Sequence, residues 1–283
     1  MKFVGVVLTV CLLGVSCIGC GNASDKVLQG KQHYSKKEYS QAVACFREAA
    51  EKGNAEAQWR LGECYCAGTG VAKDKIEAAK WYRKSAEQGN AEAQWRLGTC
   101  YGSGAGVKKD YAEAAKWYRK SAEQGNAEAQ WRLGALYEYG IGIEKNIAEA
   151  VKWLRKSAEQ GHAEGQHGLG LCYLVGLGVK QNYTEAEKWL SKSALQKNAE
   201  SQALLGRLYI EGRGVRQSYI DAMVWLHASA EQGNAEGQYW LGVLYFHGLE
   251  VGVDKMLARN LWGKSKAQGN QKAAHALRLY FYE

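Results

Sequence analysis

The hydrophobic and polar positions of the chain repeat with a fixed period. Residues 77–98 and residues 113–134 carry the same letters, EAAKWYRKSAEQGNAEAQWRLG, which sets a period of 36 residues. One position of the period is always leucine, at Leu61, Leu97, Leu133, Leu169, Leu205, Leu241 and Leu277. Another is tryptophan in five successive units, at Trp81, Trp117, Trp153, Trp189 and Trp225. Self-similarity at this length is typical of repeat architectures, in which each unit is one supersecondary motif.

Each period predicts two helices, named here helix A and helix B. In helix A, Ala57, Leu61 and Cys64 follow at spacings of three and four, which form one apolar helix face. A residue that favours the N-cap precedes helix A in most units: Asn54, Asn90, Asn126, Asn198, Asn234 and Asn270, with His162 as the exception. Helix B is preceded by similar residues: Asp74, Asp110, Asn146, Asn182, Ser218 and Asp254. Glycines such as Gly70 and Gly89 are expected at the helix ends and at the turns of the loops.

We therefore predict an all-α protein, an α/α superhelical solenoid of stacked helix pairs. Residues 54–269 would form six units of 36 residues, residues 25–53 a shortened first unit, and residues 270–283 a lone capping helix. The chain contains no proline, and no segment shows the alternation of a strand. Because one helix pair cannot bury both of its apolar faces, neighbouring units must stack, and the stack leaves a long concave surface.

A consensus stands out in the second full unit, at Ala93, Leu97, Gly98, Tyr101, Gly104, Gly106, Val107, Asp110, Ala114, Trp117, Tyr118, Lys120, Ser121 and Ala122. This pattern resembles the Sel-1-like repeat family, a relative of the tetratricopeptide repeat. Lys197, Glu250 and the pair Leu261–Trp262 depart from the pattern. The resemblance implies a right-handed superhelix that serves as an adaptor or scaffold for protein partners.

The first residues resemble an export signal. Lys2 gives a positive start, an apolar run follows from Phe3 to Val15, and small residues come next, so residues 1–23 are predicted to be a signal peptide. Two processing sites remain open: cleavage before Ser24, or a lipoprotein signal that makes Cys20 the lipidated N-terminus. We expect a periplasmic or outer-membrane lipoprotein, or else a secreted protein. Membrane attachment would occur only through the lipid or an uncleaved signal.

The formal net charge of +8 permits binding to nucleic acid, so the distribution of the charge must decide. Lys80, Arg83 and Lys84 recur on helix B, but Glu77 and Glu87 interleave with them on the same helix. This pattern favours a solvated outer face. We predict that nucleic acid is not a partner.

Cysteine and histidine suggest packing rather than chemistry. Cys64, Cys100 and Cys172 share a core position with leucines of other units, and only a bridge from Cys45 to Cys64 or Cys66 remains open. The histidines are scattered, so we predict no metal and no cofactor. One cysteine-rich branch of the resembling family has regular disulfides and an attributed penicillin-binding or hydrolysing activity. That regular pairing is absent here.

The candidate binding residues lie on the side of helix A opposite the core leucine, which 100° per residue directs toward the concave groove. They are Trp59, Arg60, Trp95, Arg96, Trp131, Arg132, His167, Tyr239 and Trp240. The tryptophans either face the groove or fill the seam between repeats. Exposure is the favoured interpretation for the arginines.

We predict an exported scaffold, not an enzyme, that binds a protein or peptide through this face. Two alternatives remain: a β-lactam or cell-wall hydrolase, and a protein that binds envelope polysaccharide on its tryptophan rings.

Overall fold

The computed structural model describes residues 22–282. Most of the predicted leader, including the lipidation candidate Cys20, lies outside the described residues. The described part forms fifteen helices and no strand, which confirms the all-α class. The helices are α1 (Ala23–Ser35), α2 (Tyr39–Glu51), α3 (Ala55–Ala67), α4 (Lys75–Glu87), α5 (Ala91–Ser103), α6 (Tyr111–Glu123), α7 (Ala127–Tyr139), α8 (Ile147–Glu159), α9 (Ala163–Val175), α10 (Tyr183–Leu195), α11 (Ala199–Glu211), α12 (Tyr219–Glu231), α13 (Ala235–His247), α14 (Lys255–Ala267) and α15 (Gln271–Phe281). None of them is long and apolar enough to cross a bilayer.

The helices stack in sequence order, as a solenoid requires. Each odd-numbered helix is a helix A; from α1 to α13 it packs against the following helix B, and each helix B packs against the next helix A. The buried residues form seven successive clusters along the stack, with the predicted leucines at their centres. The α/α solenoid is thereby confirmed.

Helices A line the inner side of the curve. The pairs α7–α9 and α11–α13 touch across successive repeats, whereas no two helices B within residues 22–282 make comparable contact. In a curved stack, the elements on the inside lie closer together than those on the outside. These contacts indicate that the concave surface is built from helices A.

The predicted N-caps are present at the helices that they were assigned to. The side chain of Asn54 accepts a hydrogen bond from the backbone N–H of Ala57 at 2.9 Å. His162 replaces asparagine without loss of the cap, because its ring Nδ1 accepts from the N–H of Gly165 at 3.2 Å. Asp74 caps α4, and the side chain at the equivalent position caps each of α6, α8, α10, α12 and α14, whereas α2 has no side-chain cap.

The loops between helices A and B need a left-handed backbone at fixed positions. Gly106 has φ +73°, and a Cβ there would lie 1.9 Å from the carbonyl oxygen of Lys75 in the preceding repeat. Lys197 and Glu250 depart from the glycine consensus, yet they adopt φ +67° and +58°. The repeat geometry therefore holds two non-glycine residues in the left-handed conformation, which strains their backbone.

The cysteines of the described residues are all free. Cys64, Cys100 and Cys172 are buried among apolar side chains, and burial raises the pKa of each thiol to about 11. They act as small core residues, as predicted. The bridge from Cys45 to Cys64 or Cys66, which the sequence left open, is not formed.

The basic residues of helix B are held by neighbours on the outer face. The Nζ of Lys80 lies 2.6 Å from Glu77, and the Nζ of Lys84 lies 4.0 Å from the ring centroid of Trp81. The same contacts recur one repeat later. Carboxylates and aromatic rings thus contact many of the helix B lysines and arginines that could otherwise bind nucleic acid.

Candidate binding surface

The candidate residues all lie on helices A, but the structure spreads them over several repeats. Trp59 and Arg60 lie on α3, Trp95 and Arg96 on α5, Trp131 and Arg132 on α7, His167 on α9, and Tyr239 and Trp240 on α13. The first six form three successive tryptophan–arginine pairs, and the last three differ in chemistry from these pairs. The arrangement is an extended surface, and the residues do not converge on one centre.

The tryptophan of each pair is half-buried in the seam with the next repeat. Trp59 packs against a cluster that includes Ala78 and Tyr82 of α4 and Leu97 of α5. Trp95 packs against the corresponding cluster of the following repeat, and the tryptophan of α7 does the same. Of the two roles considered for these rings, filling the seam is therefore a principal one, and part of each ring remains accessible.

The arginine of each pair lies over the ring of its neighbouring tryptophan. The guanidinium carbons of Arg60, Arg96 and Arg132 lie 4.6, 4.0 and 4.2 Å from the respective ring centroids. The three side chains are 30%, 33% and 41% exposed. Each arginine thus covers a seam and keeps part of its surface open to solvent.

Carboxylates hold the arginines in place. Arg60 donates to Glu56 at 3.0 Å on its own helix, and the Nε of Arg96 lies 3.1 Å from Glu63 of the preceding repeat. Glu63 also accepts a short hydrogen bond from the hydroxyl of Tyr82. Burial, together with this carboxylate, raises the pKa of Tyr82. The first seam is therefore closed by charged and polar contacts.

Three successive cavities open between helices A and grow along the chain. The first groove cavity has a volume of about 230 Å³ and is lined by Tyr34, Phe46, Trp59, Arg60, Glu63, Glu92 and Arg96. The second groove cavity has about 270 Å³ and is lined by Thr99, Gly102, Ser103, Tyr111, Ala114, Tyr118, Arg132, Ala135 and Leu136. The third groove cavity has about 460 Å³ and is lined by Trp131, Ala135, Glu138, Tyr139, Leu154, His167, Gly168, Leu171, Cys172, Val175, Leu177 and Glu200.

His167 is a wall of the third groove cavity rather than an exposed platform. Its Nδ1 lies 2.8 Å from the hydroxyl of Ser201, and its Nε2 lies 3.3 Å from Glu200. Burial lowers the pKa of His167, and the nearby carboxylates only partly offset this effect. The imidazole is therefore mainly neutral at pH 7.

Tyr239 and Trp240 belong to an aromatic cluster near the end of the chain. Their ring centroids lie 5.2 Å apart, and the indole N–H of Trp240 donates to Glu236 at 3.0 Å. Tyr239 also stacks with the buried ring of Trp262, whose N–H donates to the carbonyl of Tyr239 at 3.0 Å. These residues help to seal the last full repeat.

Sequence reasoning missed the residues that shape the third groove cavity. Tyr139 and Val175 occupy a position that is Ala67 and Ser103 in the earlier units, and both are strongly exposed. Glu138 lies beside them in the same lining. The signal was present in the sequence as a change of side-chain class at this one position of the period.

No catalytic constellation was predicted on this surface, and that prediction remains untested. Within residues 22–282, no three histidine, cysteine, aspartate or glutamate side chains lie close enough to hold a metal ion. What the described groove offers chemically is contact: aromatic rings, arginines held by carboxylates, and one larger apolar cavity.

The family model of the Sel1 repeat matches seven consecutive segments of the chain, residues 27–54, 55–90, 91–126, 127–162, 163–198, 199–234 and 235–270. The chain belongs to the Sel1 repeat family. The resemblance inferred from the consensus residues is thereby confirmed. The first matched segment covers most of α1 and α2, which pack against each other as the later Sel1 pairs do. Among curated proteins, no sequence matches the chain.

Two solved Sel1 structures are similar to this chain over most of its length. The first is c5321, described as a protective antigen of uropathogenic Escherichia coli with an SLR fold, at 38% identity and a TM-score of 0.80. The match covers 92% of this chain but only 57% of c5321. The second is a Sel1 repeat protein from Oxalobacter formigenes, at 35% identity and a TM-score of 0.78, covering 85% of this chain and 96% of the other. Solenoids of this type are typical protein-interaction scaffolds.

Proposed function

We propose that this Sel1 repeat protein is a scaffold that binds a protein or peptide partner along its concave side. One observation carries the proposal: large apolar side chains are exposed in the groove, where Tyr139 is 67% and Val175 is 63% accessible. Both end helices A and line the third groove cavity. Single exposed apolar side chains are common on protein surfaces, but these two line one cavity together, and a contiguous apolar patch is a usual mark of an interaction site.

The tryptophan–arginine pairs support the same proposal. Tryptophan, tyrosine and arginine are the residues that most often dominate protein interfaces. Arg60, Arg96 and Arg132 are held against rings and carboxylates, so a partner that contacts them meets side chains that are already ordered. Ordering a flexible side chain costs about 0.5–1.5 kcal/mol on binding, and this surface avoids much of that cost.

The scaffold is proposed to act outside the cytoplasm, as a lipoprotein attached through Cys20 or as a secreted protein. Two contacts at the start of the described chain favour the lipoprotein. Asn22 caps α1 by accepting from the N–H of Ser24 at 3.3 Å, and Ala23 packs against the first core cluster. Cleavage before Ser24 would remove both residues, whereas processing before Cys20 keeps them. The mass of the mature N-terminus from an envelope fraction tests this choice.

Site-specific photocrosslinking tests the binding side. A benzoylphenylalanine at Tyr139 would face the groove, and the same group at Met256, which is 71% exposed on the helix B α14, would face outward. We expect a protein adduct from position 139 and none from position 256 when the protein is crosslinked in its native cells. Adducts from position 256 alone would refute a concave binding side.

A further inference from the structure

The third groove cavity is larger and more apolar than the preceding one. In the second groove cavity, the Tyr118 hydroxyl lies 3.1 Å from Thr99, and Arg132 completes the lining. The same positions of the period in the next repeat are Leu154, Ala135 and Gly168. A hydroxyl pair and a guanidinium are thus replaced by side chains that make no polar contact and occupy less space.

Gly168 is the replacement that opens the cavity. A Cβ at this position would lie 2.9 Å from the Cδ2 of Leu154, so the leucine packs directly against the bare helix backbone. Leu171 and Leu177 add to the apolar lining, and Trp131 contributes its ring. The volume of about 460 Å³ lies within the range of roughly 300–1,000 Å³ that is common for ligand pockets.

The charged groups that line this cavity are carboxylates. Glu138 and Glu200 contribute to the lining, which includes neither lysine nor arginine. Within residues 22–282, no lysine or arginine forms an ion pair with Glu138, and Lys145 acts on it only from a distance. Burial raises the pKa of Glu138, because a half-buried carboxylate loses part of its hydration, and a hydrogen bond with the Tyr139 side chain offsets this only in part. His167 is mainly neutral at pH 7 and supplies little positive charge.

From this arrangement we propose that the third groove cavity binds a partner segment in which an apolar side chain lies beside a lysine or arginine. The apolar side chain enters between Leu154 and Leu171, and the cation pairs with Glu138 at the rim. Charge complementarity selects this partner chemistry over an acidic or neutral segment, because the two carboxylates would repel the first, and the second would leave Glu138 without a cation. The inference rests on the proposed scaffold function and specifies the partner of that same surface.

A random dodecapeptide library displayed on phage and selected on the purified protein tests the inference. We expect enrichment of peptides with an aliphatic or aromatic residue next to lysine or arginine. An enriched peptide, synthesised with a fluorophore, should bind at least 10-fold more weakly to Gly168→Arg, which restores the arginine of the earlier repeats. Val175→Arg, at an exposed position that needs no repacking, should weaken binding to a similar extent. Glu138→Gln should weaken it about 3-fold, and the outer-face control Lys80→Gln should leave it unchanged.

Several results would overturn the inference. Enrichment of acidic peptides, failure to enrich any peptide, or equal binding to the wild type and to both arginine variants would each do so. A wild-type dimer in sedimentation that Val175→Arg dissociates would assign the cavity to a second copy of the chain. None of these results affects the photocrosslinking outcome at Tyr139 and Met256, so a failed cavity and a failed scaffold remain distinguishable.

Discussion

The second and third groove cavities lie one repeat apart on nearly the same backbone. In the second, Arg132 and the hydrogen-bonded pair Tyr118–Thr99 are among the lining residues. In the third, Gly168 and Leu154 hold the equivalent positions, and the volume rises from about 270 to about 460 Å³. The difference separates two kinds of information in a repeat: the fixed positions build the stack, and a few variable positions decide what the groove can hold.

The largest predicted effect is a loss of partner affinity when the arginines of the tryptophan–arginine pairs are replaced. Replacing Arg60, Arg96 and Arg132 together with alanine should weaken the partner identified by crosslinking roughly 100-fold, since three interface arginines at about 1 kcal/mol each sum to about 3 kcal/mol. The helical circular dichroism should not change, because the core clusters do not include these arginines. Titration of labelled partner measures the affinity.

The matched control removes the same charge from the outer face. Lys80, Lys116 and Lys152 occupy one position of helix B in three successive repeats, and each forms an ion pair with a glutamate of its own helix. Their replacement by alanine should leave partner affinity within about 2-fold, because exposed ion pairs contribute little. An equal loss in both triple variants would mean that net charge, rather than the groove, governs binding.

The next largest predicted effect is on stability, at a glycine that packs against Tyr118 beside the second groove cavity. Gly98→Ala should destabilise the protein by about 2 kcal/mol, because the new Cβ would lie 2.7 Å from the Cδ1 of Tyr118, whose ring is buried. The gain in helix propensity offsets only part of this overlap. The shift of the urea midpoint measures the effect, and an unchanged midpoint would show that the Tyr118 ring can move aside.

A glycine-to-alanine change at a different position of helix A, beside the third groove cavity, should have the opposite sign. Gly168→Ala should stabilise the protein by up to about 1 kcal/mol, because alanine is the better helix former and the conflicting atom is the end of a leucine side chain. Leu154 borders the third groove cavity and can shift into it. Destabilisation as large as that of Gly98→Ala would show that this side of the cavity is rigidly packed.

Much of the fold was predictable because its determinants are local. The N-caps at Asn54 and Asp74 and the leucine position at Leu61 follow from chemistry within one turn or one helix face. His162 was noted as an exception, and only the structure shows that its ring replaces the missing cap. The periodic sequence could reveal that a residue was unusual there, but not how the imidazole would be oriented.

The sequence predicts which side of helix A forms the binding surface, but not how deeply its side chains are buried. A rotation of 100° per residue predicts that Trp59 and Arg60 lie on the groove side, but the burial of the indole depends on Tyr82 of the neighbouring helix. The third groove cavity depends on residues from four different helices, including Leu154 and Gly168. Each substitution is unremarkable alone, so only a position-by-position comparison of the repeats could have indicated that they coincide.

The smallest predicted effect tests the free-energy cost of the left-handed backbone conformation at the end of helix B. Lys197 ends the repeat that carries Gly168, and it holds φ +67° where the preceding repeat has Gly161 at φ +86°. A Cβ at Gly161 would meet no atom within 4 Å, so the conformation alone determines the cost there. Lys197→Gly should stabilise the protein by about 0.5 kcal/mol, since relief of a strain of roughly 1–2 kcal/mol is offset in part by the greater entropy of glycine in the unfolded chain. Gly161→Lys should destabilise it by a similar amount, as measured by urea unfolding of both variants. Two changes of the same sign would mean that the lysine makes a contact specific to its own repeat, and the two repeats would then differ in their loops as well as in their grooves.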